Sequence, residues 1–463
     1  FGSSSVCAEP PVPPFLREMA RAASVAAAAL LAATLAGCSA DGKGPSPGPA
    51  PKPPGPTAKP YTCESEFKIE GVVMPGHKGL ALDDDTFRGC PGKIPVEWPH
   101  TSEPVASLRM FKAWAPDWPE EARQPAWDAI AQFTQRSGAK VLVGTHITCN
   151  ETEDDTDWAL VLRLLKQLGP NSVMGVAIGN EMELLYTKAN ITKQCITNIW
   201  AGGYFWRKTV ERVQDLEKLG DGFGNVTLTS VFGGAVLGGG PFVETPQAMA
   251  LSYLRNATKE YGSRWAYSIN VYPYYDPGNH WDNHSHSCNA AITRGLDFSP
   301  EGDMPSTLVL FRQKLQELTG NTNDTMWLTE TGWSSPRADT LAGANLQMAQ
   351  CANFSTEKVL QRYYDGVLNW NMTLGEIQGP DHIFYFTIRD SNNFGVGEHF
   401  GLIHTCDNAT CKMQQDYLPN TTTTTTTTTA AAGGNTTTTA AAGGNTTTTA
   451  AAGGNTTTTA AAG

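Results

Sequence analysis

The sequence predicts an α/β fold of the (β/α)8 (TIM) barrel class, a single domain with disordered termini. Three observations predict it. Eight short apolar segments alternate with helical patterns over roughly 360 residues, a length that one barrel with long loops accommodates. No Gly-x-Gly-x-x-Gly follows the first segment, which argues against an open dinucleotide-binding sheet. Two of the segments end in a glutamate, at the place where a barrel presents its rim.

Residues 1–40 read as a leader with a signal peptide starting at Met19, because Ala26–Ala36 is an Ala/Leu-rich run too short for a membrane span. Leu35-Ala-Gly-Cys38 also fits a lipoprotein box, with lipid on Cys38, whereas Cys38-Ser-Ala40 fits ordinary signal cleavage. Residues 41–60 are a Pro-rich extended linker. The barrel domain spans 61–419. Its expected strands are Phe67–Met74, Val105–Phe111, Lys140–Thr145, Val173–Ile178, Val226–Phe232, Ala266–Tyr272, Met326–Thr329 and Ile383–Thr387. Helical spacing groups Leu308, Phe311, Leu315 and Leu318 on one face, and likewise Trp206, Val210 and Val213. Segments 158–168 and 359–368 show the same pattern. Residues 420–463 are Thr/Ala/Gly/Asn repeats without a large apolar side chain, expected to be disordered, either as an O-glycosylated stalk or as a tail without a role. No apolar segment closes the chain, so a GPI anchor is not expected.

A formal charge of -12 and a pI near 5.3 argue against a nucleic-acid surface or an anionic-membrane binder. Twelve Trp and thirteen Tyr suit stacking on flat neutral ligands. Of ten cysteines, the eight from Cys63 to Cys411 form an even set that reads as disulfides. Their pairing is open, with Cys406 and Cys411 close enough to bridge one loop. Nine Asn-x-Ser/Thr triplets in the domain, at Asn150, Asn190, Asn225, Asn256, Asn283, Asn323, Asn353, Asn371 and Asn408, with more in the tail, suggest a secreted, extracellular glycoprotein and favour the ordinary signal peptide.

The chemistry concentrates in two stretches. Met326-Trp-Leu-Thr-Glu330 is a buried-strand run that ends in a carboxylate, an unfavourable place for a charge unless it is needed. Val173-Met-Gly-Val-Ala-Ile-Gly-Asn180-Glu181 is built the same way. Glu181 ends strand four and Glu330 ends strand seven, so both face one cleft. Two such carboxyls, with no metal and no cofactor required, suit glycoside hydrolysis, and the charge of one raises the pKa of the other. Asn180 is placed for a sugar 2-hydroxyl, and Asn270, Tyr272 and Tyr274 cluster at the end of strand six.

These residues resemble glycoside hydrolase family 17, the secreted β-1,3-glucanases. The matching pieces are Val176-Ala-Ile-Gly-Asn180-Glu181, Asn270-Val-Tyr272-Pro-Tyr274, Thr329-Glu330-Thr-Gly-Trp333 and His399-Phe-Gly-Leu402, over a span from strand two to about residue 405. The resemblance implies retaining hydrolysis with Glu330 as nucleophile and Glu181 as acid/base. It implies a β-glucan polysaccharide as partner and Arg109 and Trp333 among the substrate contacts. A monomer is expected. The chain departs from the family pattern at Ser334-Ser335, where Pro is usual, at Phe111, where Tyr is usual, and in its accessory carboxylate and lysine near 389–398. A mixed-linkage glucanase, a glucan transglycosylase and an inactive glucan-binding wall protein are the alternatives.

Other candidates read more simply. His284-Ser-His286-Ser-Cys288 is an exposed loop with a disulfide cysteine rather than a metal site. Asp83–Asp85 and Glu151–Asp157 are solvated acidic loops. Glu183 is a helix-start or rim residue.

Overall fold

The computed structural model describes residues 63, 67–69, 71–188, 191–220, 222–275, 288–335, 351, 353–391 and 399–417, and the backbone of 435–440 and 446–451. The expected leader and linker, His284, His286, Asn190, Asn283 and most of the tail lie outside them.

Eight parallel strands close into a barrel: β1 Lys78–Ala81, β2 Ser107–Met110, β3 Lys140–Thr145, β4 Val173–Asn180, β5 Thr227–Gly233, β6 Tyr267–Asn270, β7 Met326–Thr331 and β8 His382–Tyr385. Each pairs with its sequence neighbours, and β8 returns to β1 through Lys78↔Ile383 and Leu80↔Tyr385. Strands buried on both faces favour apolar runs, as in Val141, Leu142 and Val143 of β3, each fully buried and contributing ~1.5–3 kcal/mol.

Helices cover the barrel: α1 Asp84–Gly89, α2 Glu120–Ser137, α3 Glu151–Leu168, α4 Lys193–Ile199, α5 Tyr204–Leu219, α6 Ala250–Tyr261, α7 Cys288–Gly295, α8 Asp303–Thr319 and α9 Glu357–Asn369. In α9, Thr356 caps the first turn by accepting the Val359 N–H. Val359, Leu360, Tyr363, Tyr364, Val367 and Leu368 then turn one apolar stripe to the barrel.

Seven of the eight strands lie where the sequence puts them. The first does not: residues 71–77 form turns, with Gly71 and Met74 in left-handed backbone, and the strand is Lys78–Ala81. A buried lysine and a glycine disguise it. The Lys78 Nζ donates to the carbonyls of Leu368 at 2.6 Å and Trp370 at 2.7 Å, which is what makes its burial tolerable.

The acidic runs are not solvated loops. Asp83 is fully buried and caps α1 by accepting the Thr86 N–H, and it also takes the Arg389 N–H and the Thr387 hydroxyl. Glu151–Asp157 is the start of α3, where negative charge complements the helix dipole. Within it, Asp154 binds Thr148 N–H and Asp157 binds Thr145 Oγ1 and His146 N–H.

All eight expected cysteines pair, as Cys63–Cys411, Cys90–Cys406, Cys149–Cys195 and Cys288–Cys351. Cys406 and Cys411 therefore do not bridge one loop. Each ties the returning C-terminal segment to the start of the domain, with Cα separations of 5.8 and 5.4 Å.

Residues 416–463 form a separate unit. Within it the backbones of Asn435–Ala440 and Thr446–Ala451 make an antiparallel ladder. Threonine's branched side chain favours extended backbone, although two strands without an apolar face are marginal. Among the described residues, no helix is long and apolar enough to cross a membrane.

Candidate active site

β4 and β7 deliver Glu181 and Glu330 to the C-terminal end of the barrel, and β6 stands near both. The pairing of β4 with β5 slips between Ala177 and Asn180, and that of β6 with β7 slips between Ile269 and Asn270. Such bulges re-aim side chains where a strand ends. Glu181 follows in left-handed backbone, φ 50° and ψ 43°. For a non-glycine residue this costs roughly 1–3 kcal/mol and persists only where neighbours impose it. Here the Glu181 N–H is fixed on the Val231 carbonyl at 2.8 Å.

Asn270 joins the two acids. Its Nδ2 donates to Glu330 Oε1 at 2.7 Å and to Glu181 Oε1 at 3.1 Å. Those two oxygens are thereby held within about 6 Å of each other, closer than the ~6.5–9.5 Å between the carboxyls of an inverting pair. Asn270 Oδ1 in turn accepts from Arg109 Nη1 at 3.1 Å and Thr329 Oγ1 at 2.9 Å, which fixes the amide orientation.

Arg109, from β2, is 2 % exposed and makes the densest set of contacts in the site. Nη1 donates to Glu330 Oε1 at 2.7 Å and the Thr329 carbonyl at 2.8 Å; Nη2 donates to Asn180 Oδ1 at 2.6 Å. Its guanidinium lies 4.5 Å from the centre of the Phe111 ring. Tyr272 completes the shell by donating its hydroxyl to Glu330 Oε2 at 2.6 Å. Glu330 thus receives a guanidinium, an amide and a phenol, which fix both of its oxygens at 8 % exposure.

Among the described residues, the Glu181 carboxyl has one side-chain donor, the Asn270 amide. Burial first, then the Glu330 charge, push its carboxyl up to about 7, against the pull of the Asn270 amide. The sequence reading puts like-charge repulsion first; in the structure burial leads. Burial and Glu330 likewise raise the Tyr272 phenol well above its usual value, so it stays a donor.

Of the residues read from the sequence, the structure brings together Glu181, Glu330, Asn180, Arg109, Asn270 and Tyr272. Trp333 and Tyr274 are corrections. Trp333 is fully buried, its Nε1 donates to the Phe354 carbonyl at 2.7 Å, and it packs against Phe354 and Tyr363. Tyr274 is 1 % exposed and meets Trp333 edge-on and Ser355 through its hydroxyl. Both are core residues behind the site, because an apolar ring next to a strand end packs inward unless a cleft holds it open.

Glu183 stands in the first turn of Met182–Thr187, as a helix-start residue does, but it is buried, 1 % exposed. A carboxylate set among Met182, Leu184 and Leu185 was the available signal. Among the described residues, the three-residue cluster with metal-ligand spacing is Cys63, His100 and Cys411, whose sulfurs are joined in a disulfide. Cys288 is likewise bonded to Cys351.

No protein-family model matches the chain, and no curated protein matches it. Solved structures match it at low identity. An active-site mutant of Rhizomucor miehei β-1,3-glucanosyltransferase in complex with laminaritriose is 16% identical, covers 67% of this chain and 86% of its own, and has a TM-score of 0.38. A β-glucosidase from Thermotoga maritima is 13% identical over 65% and 78% of the two chains, TM-score 0.38. One from Exiguobacterium marinum is 11% identical over 73% and 95%, TM-score 0.40.

Proposed function

We propose that this chain is a retaining glycoside hydrolase acting on β-1,3-glucan of the laminarin or callose kind. The observation that carries the chemistry is the single Asn270 amide between two carboxylates of opposite environment. Glu330, gripped by Arg109, Asn270 and Tyr272, attacks the anomeric carbon and forms a glycosyl ester. Glu181, kept protonated below about pH 7 by burial, gives its proton to the departing glycosidic oxygen. In the second step Glu181, now ionised, takes a proton from water, which attacks the anomeric carbon and releases Glu330. Asn180, whose amide oxygen is taken by Arg109, offers its N–H2 group to the sugar 2-hydroxyl.

The β-1,3 linkage is supported by the Asn180-Glu181 and Glu330-Thr-Gly-Trp333 motifs. A secreted glycoprotein is supported by four disulfides and by the exposure of Asn150, Asn225, Asn256, Asn323, Asn353, Asn371 and Asn408. The test is release of reducing ends from laminarin by the wild type and by Glu181→Gln and Glu330→Gln. Each variant should fold and lose at least ~10³-fold in kcat. Near-wild-type turnover in either rejects the assignment of that residue. Products longer than the substrate would assign a transglycosylase, and laminarin binding without cleavage a binding protein.

A further inference from the structure

Glu183 is a buried carboxyl that the proposed reaction does not use. Its Oε1 accepts the Gly233 N–H, and its Oε2 has no hydrogen-bond partner among the described residues. Gly233 ends β5, and a Cβ there would lie 3.0 Å from Glu181 Oε1 and 3.2 Å from Glu183 Oε1. The two carboxyls therefore lie against one wall, and a side chain there would crowd both.

The charges around Glu183 are few. On its own turn stand Glu181 and Lys188, the like charge acting on it more strongly than the lysine. β5 and the following turn Gly234–Gly238 carry no titratable side chain. α4 carries Lys193. The ribbon formed by Glu244–Thr245 and Ala248–Met249 carries Glu244, whose oxygens are taken by the Ser252 N–H and hydroxyl. Past Glu181 come Glu330, Tyr272 and Arg109. No cation hydrogen-bonds Glu183, and burial and Glu181 both push its carboxyl well above the ordinary range. An ionised Glu183 would leave an unpaired buried charge beside a second one.

We propose that Glu183 is a positioning residue for Glu181: an uncharged carboxylic acid that pins Gly233 and, through that wall, sets where the acid/base carboxyl stands. The proposal rests on the acid/base role given to Glu181. Misplacing a reacting group by about 1 Å can cost ~10²-fold in rate, so a small shift of the wall reaches the chemistry.

The experiment compares Glu183→Gln, Glu183→Ala and Glu181→Gln in the full chain, reading kcat, KM, the alkaline limb of the laminarin pH profile and the unfolding midpoint. Glu183→Gln keeps an uncharged acceptor for Gly233, so its limb should stay in place and its kcat should remain within about threefold of wild type. Glu183→Ala should lose ~10²-fold in kcat with KM little changed, and its limb should move to lower pH as water reaches Glu181. If Glu183→Ala does not fold, Glu183→Met, which fills the volume without an acceptor, takes its place. A limb in Glu183→Gln displaced downward by a unit or more would mean that Glu183 carries charge, and overturns the proposal. So does a Glu183→Ala protein with a lower midpoint but unchanged kcat and limb, the signature of a merely structural role. Glu181→Gln separates the two levels. If it is inactive while Glu183→Ala is unaffected, this proposal alone fails; if it is active, the acid/base reading fails as well.

Discussion

Replacing Asn270 by Asp changes one NH2 group to an oxygen and leaves the shape intact. In the wild type that nitrogen donates to Glu330 Oε1 at 2.7 Å and Glu181 Oε1 at 3.1 Å. In Asn270→Asp both attractive contacts become oxygen against oxygen, while Arg109 and Thr329 still hold the other oxygen in place. The bond to the Glu330 carboxylate contributes about 1.5–3 kcal/mol and that to the protonated Glu181 about 0.5–1.5 kcal/mol, so losing both costs roughly 2–4.5 kcal/mol of the arrangement needed for reaction. At ~1.4 kcal/mol per tenfold, kcat should fall by about 30- to 2,000-fold. The sign of the pH effect is fixed too. The Asn270 amide favours the ionised form of Glu181, so its loss raises the Glu181 pKa and moves the alkaline limb of the remaining activity above pH 7. The assay is reducing-end release from laminarin across pH, with circular dichroism to check the fold. A folded Asn270→Asp protein within tenfold of wild type, or with its limb moved to lower pH, would refute the bridging role.

In the wild type, kcat/KM should fall as pH rises through about 7, because Glu181 must carry a proton to serve as acid; a flat profile from pH 6 to 9 would contradict this. Trp333→Leu should cost ~2–4 kcal/mol of stability by urea unfolding, since it empties part of a fully buried site, while KM for laminarin stays the same. A raised KM without loss of stability would return Trp333 to the substrate surface. Asn150→Ala should cost about 1 kcal/mol, because Asn150 caps α3 by accepting the Glu153 N–H; an unchanged urea midpoint would show the cap to be idle.

Seven strands were legible because a strand covered on both faces favours an apolar run, as in β3 and β7. β1 was not, because Lys78 enters the core with its ammonium satisfied by two carbonyls, a solution that only the returning α9 end supplies. The acidic runs were misread for a related reason: Asp83, Asp154 and Asp157 bind backbone N–H groups, and composition does not reveal those partners. The two glutamates stood out because a carboxylate at the end of a buried strand lacks a cheaper explanation. Arg109 and Asn270 were found by resemblance, but their mutual contacts depend on the barrel closing. Aromatic motifs do not report which way a ring turns, so Tyr272 reached the site while Tyr274 and Trp333 turned into the core. The partners of Cys406 and Cys411 depend on the C-terminal segment running back against Cys90 and Cys63, which sequence spacing does not encode.

Proton NMR of laminarin cleavage, recorded before mutarotation, reads the stereochemistry of the first product directly. Two carboxylate oxygens bridged by one amide stand closer than the ~6.5–9.5 Å of an inverting pair, so the β-anomer should appear first and the α-anomer only later. An α-anomer as the initial product would mean inversion, and would contradict covalent attack by Glu330.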